Sequence, residues 1–165
     1  MNDFKVDLTY SLDENENKLF DNFYYNRFYG LREIELVKDI ELQRQGIDKI
    51  LNFDNGKKLY IDEKKRRKDY GDILLEEYSD YDRKIEGWLS TAKKTDYIVY
   101  AIMPTKIVFV LPFLVLQSAY KRNYEILSQE CKRHFAKNDG YITSSLGVSY
   151  SLLFSMLDRE MRASL

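Results

Sequence analysis

Two segments of alternating apolar and polar residues, separated by Asp54-Asn55-Gly56, constrain the fold of this chain more than any other feature. Residues 47–53 and 58–64 follow the two-residue period of half-buried strands. A short Asn-Gly sequence between two such segments is typical of the tight turn of a β-hairpin. We therefore predict one strand over residues 47–53, a second over residues 58–64, and a hairpin that joins them.

Two turns suit this hairpin, and they differ in which side chains face each other. A two-residue turn at Asn55-Gly56 pairs Asp48 with Glu63 and mixes polar side chains into the apolar face. A three-residue turn, with Gly56 in the left-handed conformation, pairs Asp48 with Asp62. Because a shift of one residue moves every side chain to the opposite face, the apolar pattern favours the three-residue turn. That turn gathers four apolar side chains on one face: Leu51, Phe53, Leu59 and Ile61.

The remaining elements are predicted from the period of the apolar residues and from turn residues. Predicted helices span residues 14–29, with Asp13 as N-cap and Gly30 after the end, and residues 31–45, 117–137 and 150–161. Predicted strands span residues 72–78, 97–103 and 106–111, and a short strand lies between residue 141 and the last helix. This order predicts an α/β fold with a central mixed sheet of about five strands and helices on both faces.

A length of 165 residues fits a single domain. The prediction divides it into N-terminal helices (1–46), a sheet core that carries the hairpin (47–116) and C-terminal helices (117–165).

The composition excludes several classes of protein. With 44% hydrophobic residues the chain can bury a core, so wholesale disorder is excluded. One cysteine cannot form an internal disulfide, and one cysteine with one histidine cannot complete a four-ligand zinc site. The chain begins with polar, acidic residues, and its most apolar stretch, residues 97–116, contains Lys106 and two prolines. We therefore expect no membrane partner and a cytoplasmic location.

The favoured register places Asp48 and Asp62 about 5 Å apart on one face, with Lys64 two residues further along it. Two close carboxylates repel each other unless a cation or a proton lies between them. Mg²⁺ binds one or two carboxylates together with phosphate oxygens, and a neighbouring lysine can stabilise charge at phosphorus. These are the parts needed for metal-assisted phosphodiester hydrolysis. The alternative interpretation is an exposed strand face held by salt bridges.

A basic segment surrounds these residues. Residues 57–68 contain seven lysines and arginines against two acidic residues, although the whole chain has a formal charge of −1. Such a segment beside a phosphodiester site suits a nucleic-acid backbone. The side chains that we expect to contact DNA are Lys65, Arg66, Arg67 and Lys68, and the last three should reach solvent after the strand.

The same residues resemble the PD-(D/E)XK nuclease superfamily, whose core carries an Asp and then an acid-x-Lys motif on a strand hairpin flanked by helices. Ile47-Asp48 is similar to the first element, and Ile61-Asp62-Glu63-Lys64 is similar to the second. Residues 43–48, 61–67 and 69–76 resemble uncharacterised phage and bacterial members, and the similarity covers residues 43–116. It implies a restriction-endonuclease-like core.

The resemblance implies a metal-dependent DNA endonuclease or exonuclease that uses Mg²⁺ or Mn²⁺. Asp48 and Asp62 would bind the metal, and Lys64 would contact the attacking water or the scissile phosphate. Glu63 is a further candidate, because Lys65 also permits a Glu63-x-Lys65 reading of the motif. Six residues are candidates for an accessory position: Glu33, Glu35, Asp39, Glu41, Gln45 and Glu76.

The implied partner is DNA, double-stranded or branched, and the resemblance leaves room for a homodimer. Two other functions stay open. One is that of a non-catalytic relative that binds nucleic acid or protein in a phage or mobile element, and the other is that of a small structural protein of such an element.

Overall fold

The structure is a computed structural model that describes residues 14–162. In chain order its elements are α1 (Glu14–Arg27), β1 (Leu31–Leu36), α2 (Ile40–Arg44), β2 (Lys49–Phe53), β3 (Lys58–Arg66), β4 (Asp72–Asp80), β5 (Ile85–Glu86), β6 (Tyr97–Ile102), β7 (Ile107–Pro112), α3 (Phe113–Glu130), β8 (Lys132–Asn138), β9 (Tyr141–Ser149) and α4 (Tyr150–Met161). The first helix and the closing helix agree with the prediction. The predicted N-cap, Asp13, lies outside the described residues.

The first sheet has five strands in the order β1-β2-β3-β6-β7. Strands β3 and β6 run parallel, and all other neighbours are antiparallel. The β6–β7 hairpin turns at Pro104-Thr105-Lys106, as predicted. The expectation of an α/β fold with a mixed sheet of about five strands is therefore confirmed.

A second sheet, with the order β5-β4-β9-β8, is antiparallel throughout. The sequence pattern did not distinguish it from the first sheet. Strand β4 was predicted, but its partners are β5 and β9, because the chain leaves the first sheet after β3 and returns to it only at β6.

Two apolar layers enclose the first sheet. On one face, Phe20 and Tyr24 of α1 pack on Leu51 and Ile61. On the other face, residues of β6 such as Ile98 pack with the second sheet and with helices α3 and α4. Helices thus cover both faces, as expected. Within residues 14–162, no helix combines the length and the apolar character needed to cross a bilayer.

The prediction of a helix over residues 31–45 is wrong. Residues 31–36 form edge strand β1, which pairs with β2, and only the five residues of α2 are helical. Ile34 and Val37 pack in different apolar clusters, and Ile40 is 63% exposed, so their three-residue spacing does not mark one helical face.

The prediction of a helix over residues 117–137 is also wrong at both ends. Helix α3 begins at Phe113 and ends at Glu130, and residues 132–138 form strand β8. Phe135 fits the apolar spacing of the predicted helix but does not belong to a helical face. It is 55% exposed and packs edge-on against Tyr81. The short strand predicted between residue 141 and the last helix is confirmed as β9.

Candidate metal centre

The hairpin of β2 and β3 has the register that the three-residue turn requires. Lys49 pairs with Ile61, and Asn52 pairs with Lys58. Gly56 has a φ of 79°, and its N–H donates to the Phe53 carbonyl at 2.9 Å. The left-handed conformation favours glycine because it has no Cβ. The predicted turn and register are confirmed.

Asp48 stands just before β2, near Asp62 of β3 and on the face away from α1. The Asp48 N–H, one residue before β2 begins, donates to the Ile61 carbonyl at 2.8 Å. Oδ2 of Asp48 accepts a 2.8 Å hydrogen bond from the Glu63 N–H. The Asp62 residue is only 3% exposed, and its Oδ1 lies 2.5 Å from Nζ of Lys64. The structure thus brings Asp48, Asp62 and Lys64 together.

Burial and mutual repulsion of the two carboxylates shift the pKa values in this cluster. Burial and the charge of Asp62 raise the pKa of Asp48 to about 6, against the opposing effect of Lys64 and the Glu63 N–H. Burial by itself lowers the pKa of Lys64, but the carboxylates of Asp62 and Asp48 outweigh it and the pKa is raised. Lys64 is therefore a fixed positive charge at neutral pH, whereas Asp48 still carries a proton in part of the molecules at mildly acidic pH.

Glu76 of β4 reaches the same cluster from the second sheet. Its Oε1 accepts a 3.3 Å hydrogen bond from the Trp88 N–H, and Nζ of Lys64 lies 5.6 Å from the centre of the Trp88 ring. Burial raises the pKa of Glu76, and the charge of Lys64 opposes this shift. Gly87 allows the loop that carries Trp88 to pack closely against Glu76, because a Cβ on residue 87 would lie 2.3 Å from the Glu76 carbonyl oxygen.

The end of α2 forms another wall beside Asp62. A Cβ on Gly46 would lie 3.5 Å from Oδ2 of Asp62 and 3.4 Å from the side chain of Lys93. The Lys93 ammonium is held by the Arg44 carbonyl at 2.7 Å. Gln45, next in the chain, has a buried Oε1 that accepts no hydrogen bond from the described residues. The candidate Gln45 is the chain neighbour of Gly46, which borders Asp62.

Glu63 lies on the other face of β3, towards α1. Its Oε1 accepts a 2.7 Å hydrogen bond from the Tyr24 hydroxyl and lies 3.1 Å from Nζ of Lys49. Lys65 shares this face, with its ammonium 5.4 Å from the centre of the Phe20 ring. The acid and the lysine of the Glu63-x-Lys65 reading thus point away from Asp48.

The remaining acidic candidates do not join the cluster. Glu41 pairs with Arg44 at 2.7 Å on an exposed turn of helix, and Asp39 caps that helix by accepting from the Glu41 and Leu42 N–H groups. Glu33 and Glu35 are exposed on edge strand β1. The expected helix over residues 31–45 that would have carried these acids does not exist.

Of the four basic residues expected to contact DNA, Lys65 has its ammonium buried beside Phe20 and not at the surface. The other three residues divide into two groups. Arg67 and Lys68 are exposed at the end of β3. The expectation that Arg66 reaches solvent is wrong: it is 8% exposed, and its guanidinium binds the carboxylate and the carbonyl of Asp72. Strand alternation gives the reason, because Arg66 follows Asp62 and Lys64 on the face that meets the second sheet.

The chemistry of the donors decides whether a divalent cation fits. In the part of the chain from residue 14 to residue 162, no three His, Cys, Asp or Glu side chains form a group that could hold a metal ion. Asp48 and Asp62 supply two carboxylates, and burial together with the charge of Asp62 raises the pKa of Asp48. Mg²⁺ binds through one or two carboxylates and fills its other positions with water and phosphate oxygens. The residues present fit such an ion.

Sequence reasoning missed three residues: Trp88 and Lys93 beside this cluster, and Lys49 on the opposite face of the hairpin. Only Lys49 gave a signal, because alternation puts a charged side chain on the apolar face with Leu51. Trp88 and Lys93 belong to the loop after β5, and their position follows from tertiary structure. Comparison of the chain with protein-family models, with curated proteins and with solved structures finds no match.

Proposed function

We propose that this protein is a cytoplasmic, Mg²⁺- or Mn²⁺-dependent deoxyribonuclease, acting as an endonuclease or an exonuclease. The observation that carries the proposal is the cluster of Asp48, Asp62 and Lys64: the Glu63 N–H binds the Asp48 carboxylate at 2.8 Å, and the Lys64 ammonium lies 2.5 Å from the Asp62 carboxylate. Two poorly hydrated carboxylates and one lysine on a single strand face are the parts that metal-assisted hydrolysis of a phosphodiester requires.

Each residue has a role that follows from its place. When bound, a divalent cation would polarise the phosphate and lower the pKa of a bound water. Asp48 and Asp62 would hold that cation. Lys64, kept protonated by both carboxylates, would place positive charge where negative charge develops on the phosphate. Glu76 would accept a hydrogen bond from a water at the same edge.

The first sheet supports a restriction-endonuclease-like core. The motif hairpin β2–β3 continues into a parallel partner, β6, and helices pack on both faces. A strand hairpin flanked by helices is the feature that the PD-(D/E)XK superfamily resemblance implies. Arg67 and Lys68, exposed at the end of β3, would contact the phosphates of DNA, double-stranded or branched.

A cleavage assay tests the proposal. Supercoiled, linear, single-stranded and branched DNA are incubated with the protein and Mg²⁺ or Mn²⁺, with and without a chelator. We expect cleavage that needs the cation, and its reduction by at least about 100-fold in Asp62→Asn. Asp82→Asn, an exposed carboxylate in the turn after β4, is the control and should cleave normally. No cleavage of any substrate by the unaltered protein would overturn the proposal.

The second candidate function is that of a non-catalytic relative that binds nucleic acid. Two observations favour it: residues 14–162 gather no three metal-binding side chains, and Lys64 already contacts Oδ1 of Asp62. Salt-sensitive DNA binding without cleavage, in the same buffers, would select this function.

A further inference from the structure

A buried ion pair lies directly beneath the candidate metal centre, on the face of the hairpin that meets α1. Nζ of Lys49 is 3.1 Å from Oε1 of Glu63 and 2.7 Å from Oδ1 of Asp21. The side chains of Lys49 and Glu63 are only 4% and 9% exposed. The Tyr24 hydroxyl donates to the same Glu63 oxygen at 2.7 Å, and the Lys49 ammonium lies 5.5 Å from the centre of the Tyr24 ring.

The two partners are chain neighbours of the candidate metal ligands. Lys49 follows Asp48, and Glu63 stands between Asp62 and Lys64. The Glu63 N–H donates to Oδ2 of Asp48 on the opposite face. The Glu63 residue therefore binds Lys49 of the neighbouring strand through its side chain and Asp48 through its backbone. A slip or tilt of either strand would break both contacts and change the distance between the two carboxylates.

Stability alone does not account for such a pair. The cost of removing two charges from water often equals or exceeds their attraction, and replacing both partners with uncharged side chains is often neutral or stabilising. The apolar cluster of Phe20, Leu51 and Ile61 on this face would accept uncharged side chains in their place. What a buried, directional pair adds is a fixed geometry.

We propose that Lys49 and Glu63 are positioning residues that hold the carboxylates of Asp48 and Asp62 at the separation a small divalent cation requires. The inference rests on the proposed function for the identity of the ligand. Mg²⁺ and Mn²⁺ need a closely defined geometry, whereas Ca²⁺ accepts longer and more variable contacts. The pair thus sets both the affinity of the site and its preference for the smaller ions.

The test uses the full chain with the double substitution Lys49→Met/Glu63→Gln, which removes both charges and keeps an acceptor for the Tyr24 hydroxyl. The matched control is Arg133→Met/Glu77→Gln in the second sheet, where Glu77 is 4% exposed and pairs with Arg133 at 2.6 Å. Titration calorimetry measures Mn²⁺ and Ca²⁺ binding. Amide hydrogen exchange measures the protection of the residue 63 N–H, and urea unfolding measures stability.

In the Lys49→Met/Glu63→Gln variant we expect the fold to persist, Mn²⁺ to bind about 10- to 100-fold more weakly, and the preference for Mn²⁺ over Ca²⁺ to narrow. The residue 63 amide should exchange about 10-fold faster or more, while the amides of β6 keep their protection. The control pair should leave Mn²⁺ binding and this amide unchanged. Unchanged Mn²⁺ affinity together with unchanged exchange overturns the proposal, and so does loss of the fold, because the pair would then serve stability.

These outcomes separate the inference from the proposed function. If the unaltered protein binds no Mn²⁺, the metal of the proposed function is excluded, and amide exchange alone decides on the positioning of Asp48. Faster exchange at residue 63 then supports the pair as a positioning device, and unchanged exchange overturns it.

Discussion

The backbone N–H of Glu63 donates a 2.8 Å hydrogen bond to Oδ2 of Asp48. The residue that follows Asp62 in the chain thus holds the carboxylate of Asp48. This bond draws the Asp48 side chain across the hairpin towards Asp62. A hydrogen bond to a carboxylate favours its ionised form, yet the pKa of Asp48 is raised to about 6, because burial and the charge of Asp62 outweigh it. The two carboxylates are thus held together at a cost in free energy.

Because of that cost, we expect the free energy of unfolding to depend on pH through Asp48. Asp48→Asn should remove this dependence. The carboxyl titrates near 3.8 in the unfolded chain and near 6 in the folded protein. Between these values the folded protein binds more protons, so its free energy of unfolding falls as the pH rises, by roughly 3 kcal/mol in total. Above pH 6 the penalty is complete, and below pH 4 it is absent.

Urea unfolding without divalent cations measures this difference. Asp48→Asn should be more stable than the unaltered protein at pH 7.5, and its advantage should shrink as the pH falls towards 4. Asp139→Asn, in the exposed β8–β9 turn, is the control. If Asp48→Asn is more stable than the unaltered protein by the same amount at pH 4 and at pH 7.5, the prediction is contradicted.

The motif hairpin could be predicted from sequence because its information is local. The alternation of Leu51, Phe53, Leu59 and Ile61 and the glycine of the turn leave one register that gathers all four side chains on the apolar face. That register brings Asp48 and Asp62 to the same end of the hairpin. Lys64 follows two residues later on the same face, and Glu76 could be named because it ends an apolar run of a recognisable strand.

The parts that sequence did not predict depend on contacts between distant segments. Edge strand β1 exposes most of its side chains, so its pattern resembles that of a surface helix. The burial of Arg66 depends on Asp72, which the chain reaches only after a turn. The Gly87-Trp88 approach to Glu76 depends on how the second sheet meets the first, and no local pattern reports that.

Lys64→Met should separate cation binding from cleavage. Because Nζ of Lys64 contacts Oδ1 of Asp62, the ammonium competes with a cation for that oxygen. Its removal should strengthen Mn²⁺ binding by about two- to five-fold and reduce DNA cleavage by at least about 100-fold. Calorimetry and the plasmid assay measure the two effects.

Lys65→Met is the matched control, since it removes the same charge from the next residue on the face that meets Phe20. It should leave both measurements within about two-fold of the unaltered protein. If Lys65→Met abolishes cleavage and Lys64→Met does not, the Glu63-x-Lys65 reading of the motif is the correct one.

Gly87→Ala should destabilise the protein where the loop meets β4. The added Cβ would lie 2.3 Å from the carbonyl oxygen and 2.7 Å from the carbonyl carbon of Glu76, and backbone atoms cannot move aside cheaply. We expect the free energy of unfolding to fall by about 1–3 kcal/mol. Ser90→Ala, in the same loop, adds no atom and should unfold at a urea concentration close to that of the unaltered protein. Equal unfolding midpoints for Gly87→Ala and Ser90→Ala would refute this close approach.

The exposed end of β3 predicts where the phosphate backbone of DNA lies. Arg67 and Lys68 are exposed there, three and four residues after Lys64, and Lys57 and Lys58 are exposed at the opposite end of the strand. A strand of nine residues is about 30 Å long, which is several times the distance over which salt screens charges. The two pairs of basic residues therefore report on separate places.

Arg67→Ala/Lys68→Ala should weaken DNA binding and flatten the plot of log affinity against log salt. The slope should change by about 0.9 for each phosphate that the variant no longer neutralises, or by nearly two units in all. Lys57→Ala/Lys58→Ala removes the same charge and should leave the slope unchanged. Fluorescence anisotropy of a labelled duplex, in Ca²⁺ to prevent cleavage and over a range of salt concentrations, measures both slopes. Equal slopes for the two double variants would show that the DNA backbone does not follow the end of β3 that carries Arg67.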